Sequence, residues 1–129
     1  MSKHGDDFLW ICKSAYLNGI HPFDSGKNNI EQHKAIVHIG RSIIAESGIS
    51  SFVGFLMEGQ YRVQLWAAYL ALEYGNPDKS ERYIYSKNMT IVNSCIEQVE
   101  KYCFVEKNLQ IKKAEEDWVL RNKKKYNLS

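Results

Sequence analysis

The sequence predicts an all-α protein of six or seven short helices, paired antiparallel in a stack or a bundle. Three observations carry this. The run Tyr61–Tyr74 (YRVQLWAAYLALEY) is apolar on nearly every side when placed on a helix, which marks a helix buried on more than one face. Amphipathic runs of helical period recur before and after it. No Asn-Gly or Asp-Gly turn joins two alternating runs, so nothing argues for a hairpin or a sheet.

The elements follow in order. Asp6 or Asp7 is placed to N-cap a first helix carrying Phe8, Leu9, Ile11, Cys12, Ala15 and Tyr16, which Gly19 ends. Ile20–Lys27 (IHPFDSGK) reads as a loop punctuated by Pro and Gly. Asn28 or Asn29 starts a long second helix with Ile36, Ile39, Ile43 and Ile44 on one ridge, and Gly48 is its C′ residue. Ser50 or Ser51 caps a short third helix, Phe52–Met57, closed by Gly59.

The central run Tyr61–Tyr74 is the fourth helix, with Val63, Trp66, Ala67, Leu70 and Tyr74 on one face. Asp78 caps a fifth containing Tyr83, Ile84 and Tyr85; as a strand these three have nothing nearby to pair with. Thr90 starts a sixth with Ile91, Val92, Cys95, Ile96, Val99 and Tyr102. A charged last helix spans about 107–125, with Ile111, Ala114 and Trp118 on its inner face. Phe104 and Val105 either break it from the sixth or mark a kink in one longer helix.

The 129 residues fit a single domain, 1–129, and 44% apolar content argues against disorder. No apolar run is long enough to span a membrane. Acidic residues precede the short apolar run near the N-terminus, the wrong order for a signal peptide, so a cytoplasmic protein is expected. The three cysteines, Cys12, Cys95 and Cys103, are widely spaced and form no CxxC or Cys/His zinc pattern. They read as small buried hydrophobes.

Catalytic and metal-binding patterns are missing. The chain has no HExxH, P-loop or GxGxxG. His33 and His38 lie about 140° apart on a helix, poor geometry for a shared ion. His21 beside Asp24 resembles an acid–base pair, but a loop histidine next to proline reads more simply as a surface residue. No cofactor, metal or enzymatic activity is expected.

The net charge of +2 hides an asymmetry: residues 1–75 hold six Lys/Arg and seven Asp/Glu, whereas residues 76–129 hold eleven and eight. The basic excess lies in the last helix, and a solvated, charge-laced helix accounts for it. Eight Tyr, three Trp and five Phe could anchor an interface, although any single tyrosine reads more simply as core packing with its hydroxyl at the surface. Of these, Trp66 and Tyr69 lie only about 60° apart around their helix.

Val63-Gln64-Leu65-Trp66-Ala67-Ala68, followed by Leu72-Glu73-Tyr74, resembles the V-x-L-W-A-A segment of small HEAT-like helical domains of the DUF2019 type. Similar all-helical proteins occur among immunity proteins of bacterial polymorphic-toxin systems, including contact-dependent growth inhibition. The resemblance covers about a third of the chain. It departs where Glu58-Gly59-Gln60 replaces the family's Pro-containing turn, and where Gln64 stands in place of an Arg.

The resemblance implies an immunity protein that occludes a cognate toxin, most plausibly a nuclease such as a tRNase, without chemistry of its own. Carboxylates would steer the encounter and aromatics would anchor it. Asp6, Asp7, Asp24 and Glu58, with Trp10, Tyr16, Tyr61 and Tyr69, are the candidate contact residues. The partner would be a protein, with no membrane and no direct nucleic-acid contact. Two alternatives are a HEAT-like scaffold for another protein, and a nucleic-acid-binding module using Arg121, Lys123, Lys124 and Lys125.

Overall fold

A computed structural model describes residues 3–24, 26 and 30–128. Among them run six helices: α1 (Lys3–Leu17), α2 (Glu31–Ser47), α3 (Ile49–Phe52), α4 (Val63–Tyr74), α5 (Ile91–Val105) and α6 (Leu109–Lys125). A 3-10 segment, Val53–Met57, continues α3. The described residues form no strand, and one isolated bridge joins Arg82 to Thr90. The fold class is all-α, as the helical periodicity predicts.

The core is organised around α4. Val63, Leu65, Trp66, Ala67, Ala68, Leu70, Ala71 and Leu72 are all buried on it, because α1, α2, α3, the 3-10 segment and α5 all pack against it. Small residues permit the closest approach. A methyl group on Gly40 of α2 would come within 2.6 Å of Leu70 Cδ1, so the absence of a side chain lets α2 sit tightly on α4.

Consecutive helices pair antiparallel. Gln32 at the start of α2 donates to Ser14 Oγ near the end of α1 at 2.6 Å, while Gly5 at the other end of α1 shares a hollow with Ile43 and Ser47. Gln64 at the start of α4 accepts from the Tyr102 hydroxyl near the end of α5 at 3.2 Å. Lys112 near the start of α6 donates to the Cys103 carbonyl near the end of α5 at 2.7 Å.

Helix boundaries follow local chemistry at several sites. Thr90 caps α5, its hydroxyl accepting the Asn93 N–H at 3.1 Å. Asn108 caps α6 through the N–H groups of Gln110 and Ile111, so α5 and α6 are separate helices. Gly48, with φ 87°, turns the chain out of α2, a conformation that costs glycine little.

Other expectations are corrected. Asp6 lies in the first turn of α1 and does not cap it, since the helix begins at Lys3 and buries Gly5 in its first turn. Asn28 and Asn29 lie outside the described residues, and α2 begins after Ile30 with no side-chain cap. Ser50 and Ser51 fall inside α3, because Gly48 passes the chain directly into it. The central helix begins at Val63, two residues later than predicted, because Tyr61 and Arg62 adopt left-handed φ values of 54° and 57°.

The predicted fifth helix does not form. Asp78 caps a turn, accepting from the Ser80 N–H and hydroxyl. Beyond it the backbone pairs with the approach to α5: Tyr83 N–H donates to Met89 O and Ile91 N–H to Glu81 O, each at 2.9 Å. Tyr83 therefore has a partner, the chain only a few residues ahead, and Ile84 and Tyr85 form part of the turn between them. Tyr83 is buried, while Ile84 and Tyr85 are exposed in the turn that follows it.

Candidate functional site

Two features stand out: an aromatic and cationic face, and a buried acid–histidine cluster behind it. The face is built by α1 and the 58–62 loop. Helical spacing puts Trp10, Lys13 and Tyr16 on one outer surface of α1, and the left-handed Tyr61-Arg62 pair throws both side chains back over it. Lys13 Nζ lies 5.6 Å from the Trp10 ring and 5.5 Å from the Tyr61 ring. The Arg62 guanidinium lies 5.0 Å from the Tyr16 ring, and the Tyr16 and Tyr61 rings meet edge-on at 5.7 Å. Trp10 is 70% exposed.

Two hollows flank these rings. One is lined by Asp6, Trp10, Lys13, Glu58 and Tyr61. The other is an open groove of about 750 Å³ lined by Tyr16, Tyr61, Arg62, Tyr102, Val105 and Glu106. Two successive non-glycine residues in the left-handed region is a strained arrangement of the kind that gathers at binding sites.

Asp6, Trp10, Tyr16, Glu58 and Tyr61 of the predicted contact residues thus come together. The other three do not join them. Asp7 is exposed on α1 and lines neither hollow. Asp24 accepts the Gly26 N–H at 3.0 Å in the loop after α1. Tyr69 packs edge-on against Phe23 at 5.4 Å; burial, then the neighbouring Tyr74 and Glu73, pushes its hydroxyl up to about 12. An apolar ridge that escaped the sequence reading lies beyond the groove, where Phe104, Val105 and Leu109 are exposed around the α5–α6 turn.

His21 overturns its reading as a surface residue. It is buried, because Pro22 and Phe23 carry the loop inward and Phe23 packs edge-on against Trp118 at 5.8 Å. Its Nε2 points at Glu106 Oε1, 3.5 Å away, and at Glu115 Oε2, 3.9 Å away. Its Nδ1 accepts the Phe23 N–H at 3.0 Å, which puts the proton of the neutral ring on Nε2, facing the carboxyls.

Glu115 is 0% exposed, and neither of its oxygens has a hydrogen-bond partner among the described residues. Glu106 is held differently: its Oε2 accepts the N–H groups of Lys107 and Asn108, each at 3.1 Å. Burial, reinforced by the Glu106 charge, raises the Glu115 carboxyl to about 8. Burial and the Arg62 charge lower His21 to about 4, against the opposing pull of Glu106 and Asp24. In the resting chain near neutral pH, therefore, His21 is uncharged and Glu115 holds its proton.

His33 is buried edge-on against Trp66 at 5.0 Å, whereas His38 is exposed. No family model matches the chain, and comparison with curated proteins and with solved structures found no match.

Proposed function

We propose that this chain is a protein-binding inhibitor, an immunity protein that occludes a cognate toxin domain with the face centred on Trp10, Tyr16 and Tyr61. The observation that carries this reading is the set of large rings held outward by Lys13 and Arg62. Trp, Tyr and Arg are the residues that most often anchor protein interfaces. The cation–ring contacts hold these side chains in place before binding, which lowers the ordering cost of association. Asp6 and Glu58 at the rim supply charge for steering.

The buried cluster supports a non-enzymatic reading. His21 and Glu115 are shut off from solvent, so neither reaches a substrate in the groove. The basic residues of α6 support a protein partner over a nucleic acid. Arg121 pairs with Glu73 at 3.0 Å, Lys123 with Glu100 at 3.1 Å, and Lys125 with Asn76 at 3.4 Å, so three of these cations are engaged within the chain.

Co-expression tests the proposal. The toxin encoded by the neighbouring reading frame should arrest growth alone and be neutralised by this chain. Trp10→Ala should weaken the purified complex by about 30-fold, the effect of a hot-spot truncation of about 2 kcal/mol, without changing the circular dichroism spectrum. A chain that neither protects cells nor binds the neighbouring product would refute the proposal.

A further inference from the structure

We propose that His21, Glu106 and Glu115 form a metal site for one divalent transition ion, with zinc the ion their donors fit. The three residues come from three elements: the loop after α1, the α5–α6 turn and α6. Each offers one donor atom, and these atoms all lie within 4.8 Å of one another.

Two of the three spacings are nearer those of ligands than of hydrogen-bonded partners. The gaps from His21 Nε2 to the two carboxylates are 3.5 and 3.9 Å. Both are long for a hydrogen bond, and both approach the ligand-to-ligand separation around a tetrahedral ion with bonds of about 2.0–2.2 Å. Small side-chain rotations would close them.

The unmet demand of buried donors points the same way. Glu115 is fully buried with both oxygens unpartnered, and His21 Nε2 likewise has no hydrogen-bond partner among the described residues. Such groups are costly to bury without a partner. The nearby cations are occupied elsewhere: Arg62 lies over Tyr16, and Lys112 donates to the Cys103 carbonyl. With Glu115 deprotonated, two carboxylates and a neutral imidazole carry a net charge of −2, which a divalent ion neutralises. An imidazole nitrogen among carboxylates favours zinc and its transition-metal neighbours over magnesium or calcium, which prefer all-oxygen shells.

Ligation has a proton balance. Nε2 gives up its proton, Nδ1 takes one, and Glu115 loses its own to solvent. The Phe23 N–H then loses its ring acceptor, a change confined to the 21–23 turn and set against three new ligand bonds. Glu106 lines the groove, so the ion enters from that side.

The test uses the whole chain, without a histidine tag and stripped with a chelator, then titrated with zinc sulfate against a chromophoric competitor. One ion per chain is expected, with a rise in Tm. Glu115→Gln should weaken binding by at least about tenfold and abolish the Tm rise. Glu106→Gln, at the groove edge, should also weaken binding and serves if Glu115→Gln does not fold. Absence of binding, or binding that neither variant weakens, overturns the proposal.

Discussion

The Trp118 indole Nε1 donates to Glu73 Oε1 at 3.0 Å, and this bond fastens α6 to the end of α4. Trp118 is buried while Glu73 is exposed, so the bond runs from the core to the protein surface. Arg121 reaches the same oxygen from the surface at 3.0 Å.

These two bonds should differ in worth. Glu73→Ala removes the acceptor shared by the indole and Arg121 and should cost about 1–2 kcal/mol. Glu73→Gln keeps an acceptor and should cost less. Arg121→Ala removes a solvent-exposed pair and should cost under about 1 kcal/mol. Urea denaturation of the three variants gives the order. Equal losses for Glu73→Ala and Arg121→Ala would show that the indole bond does not matter.

Trp66 supports the fold from within. It is fully buried on α4 and meets the rings of His33 and Tyr69. Trp66→Ala should destabilise the chain by about 3–5 kcal/mol through the cavity it leaves, and should weaken partner binding only by unfolding. A Trp66→Ala protein that melts like the wild type but no longer binds would place α4 in the interface instead.

Stability of the metal-free chain should have two opposing limbs set by the buried cluster. Glu115 is raised from 4.5 to about 8. The folded chain therefore keeps a proton that the unfolded chain releases, and stability falls as pH rises through this interval. His21 is lowered from 6.5 to about 4. There the unfolded chain takes up a proton that the folded chain refuses, so stability falls as pH drops from 6.5 towards 4. The two slopes oppose each other where the intervals overlap.

Glu115→Gln should therefore remove the alkaline limb and His21→Gln the acidic one. Chemical denaturation across pH 4–9 in chelator reads this as a difference from wild type. A Glu115→Gln difference that does not change with pH would show that Glu115 titrates normally.

Much of the architecture was legible because periodicity reports burial. The all-round apolar character of Val63–Tyr74 predicted the encased helix, and Thr90 marked a start through its own cap. Asp78–Tyr85 misled because a capping residue followed by aromatics looks like the opening of a helix, while the pairing of residues 81–83 with 89–91 depends on where α5 places the chain.

The candidate contact face was half visible. Trp10 and Tyr16 lie six residues apart along a helix that could be read, but the left-handed turn that brings Tyr61 and Arg62 over them has no sequence mark such as glycine. The His21–Glu106–Glu115 cluster was invisible. Its members are separated by 85 and nine residues, no short motif spans them, and Glu115 sits in a stretch, KKAEED, that reads as solvated charge.

The three tryptophans occupy settings that differ optically. Trp66 and Trp118 are sealed in the core, the latter with its indole tied to a carboxylate, while Trp10 lies 70% exposed beside the Lys13 ammonium. A soluble quencher such as iodide reaches only Trp10, and the lysine beside it draws the anion closer. The native chain therefore carries an intrinsic fluorescence reporter on its candidate contact face, able to follow the docking of a partner in real time without any added label.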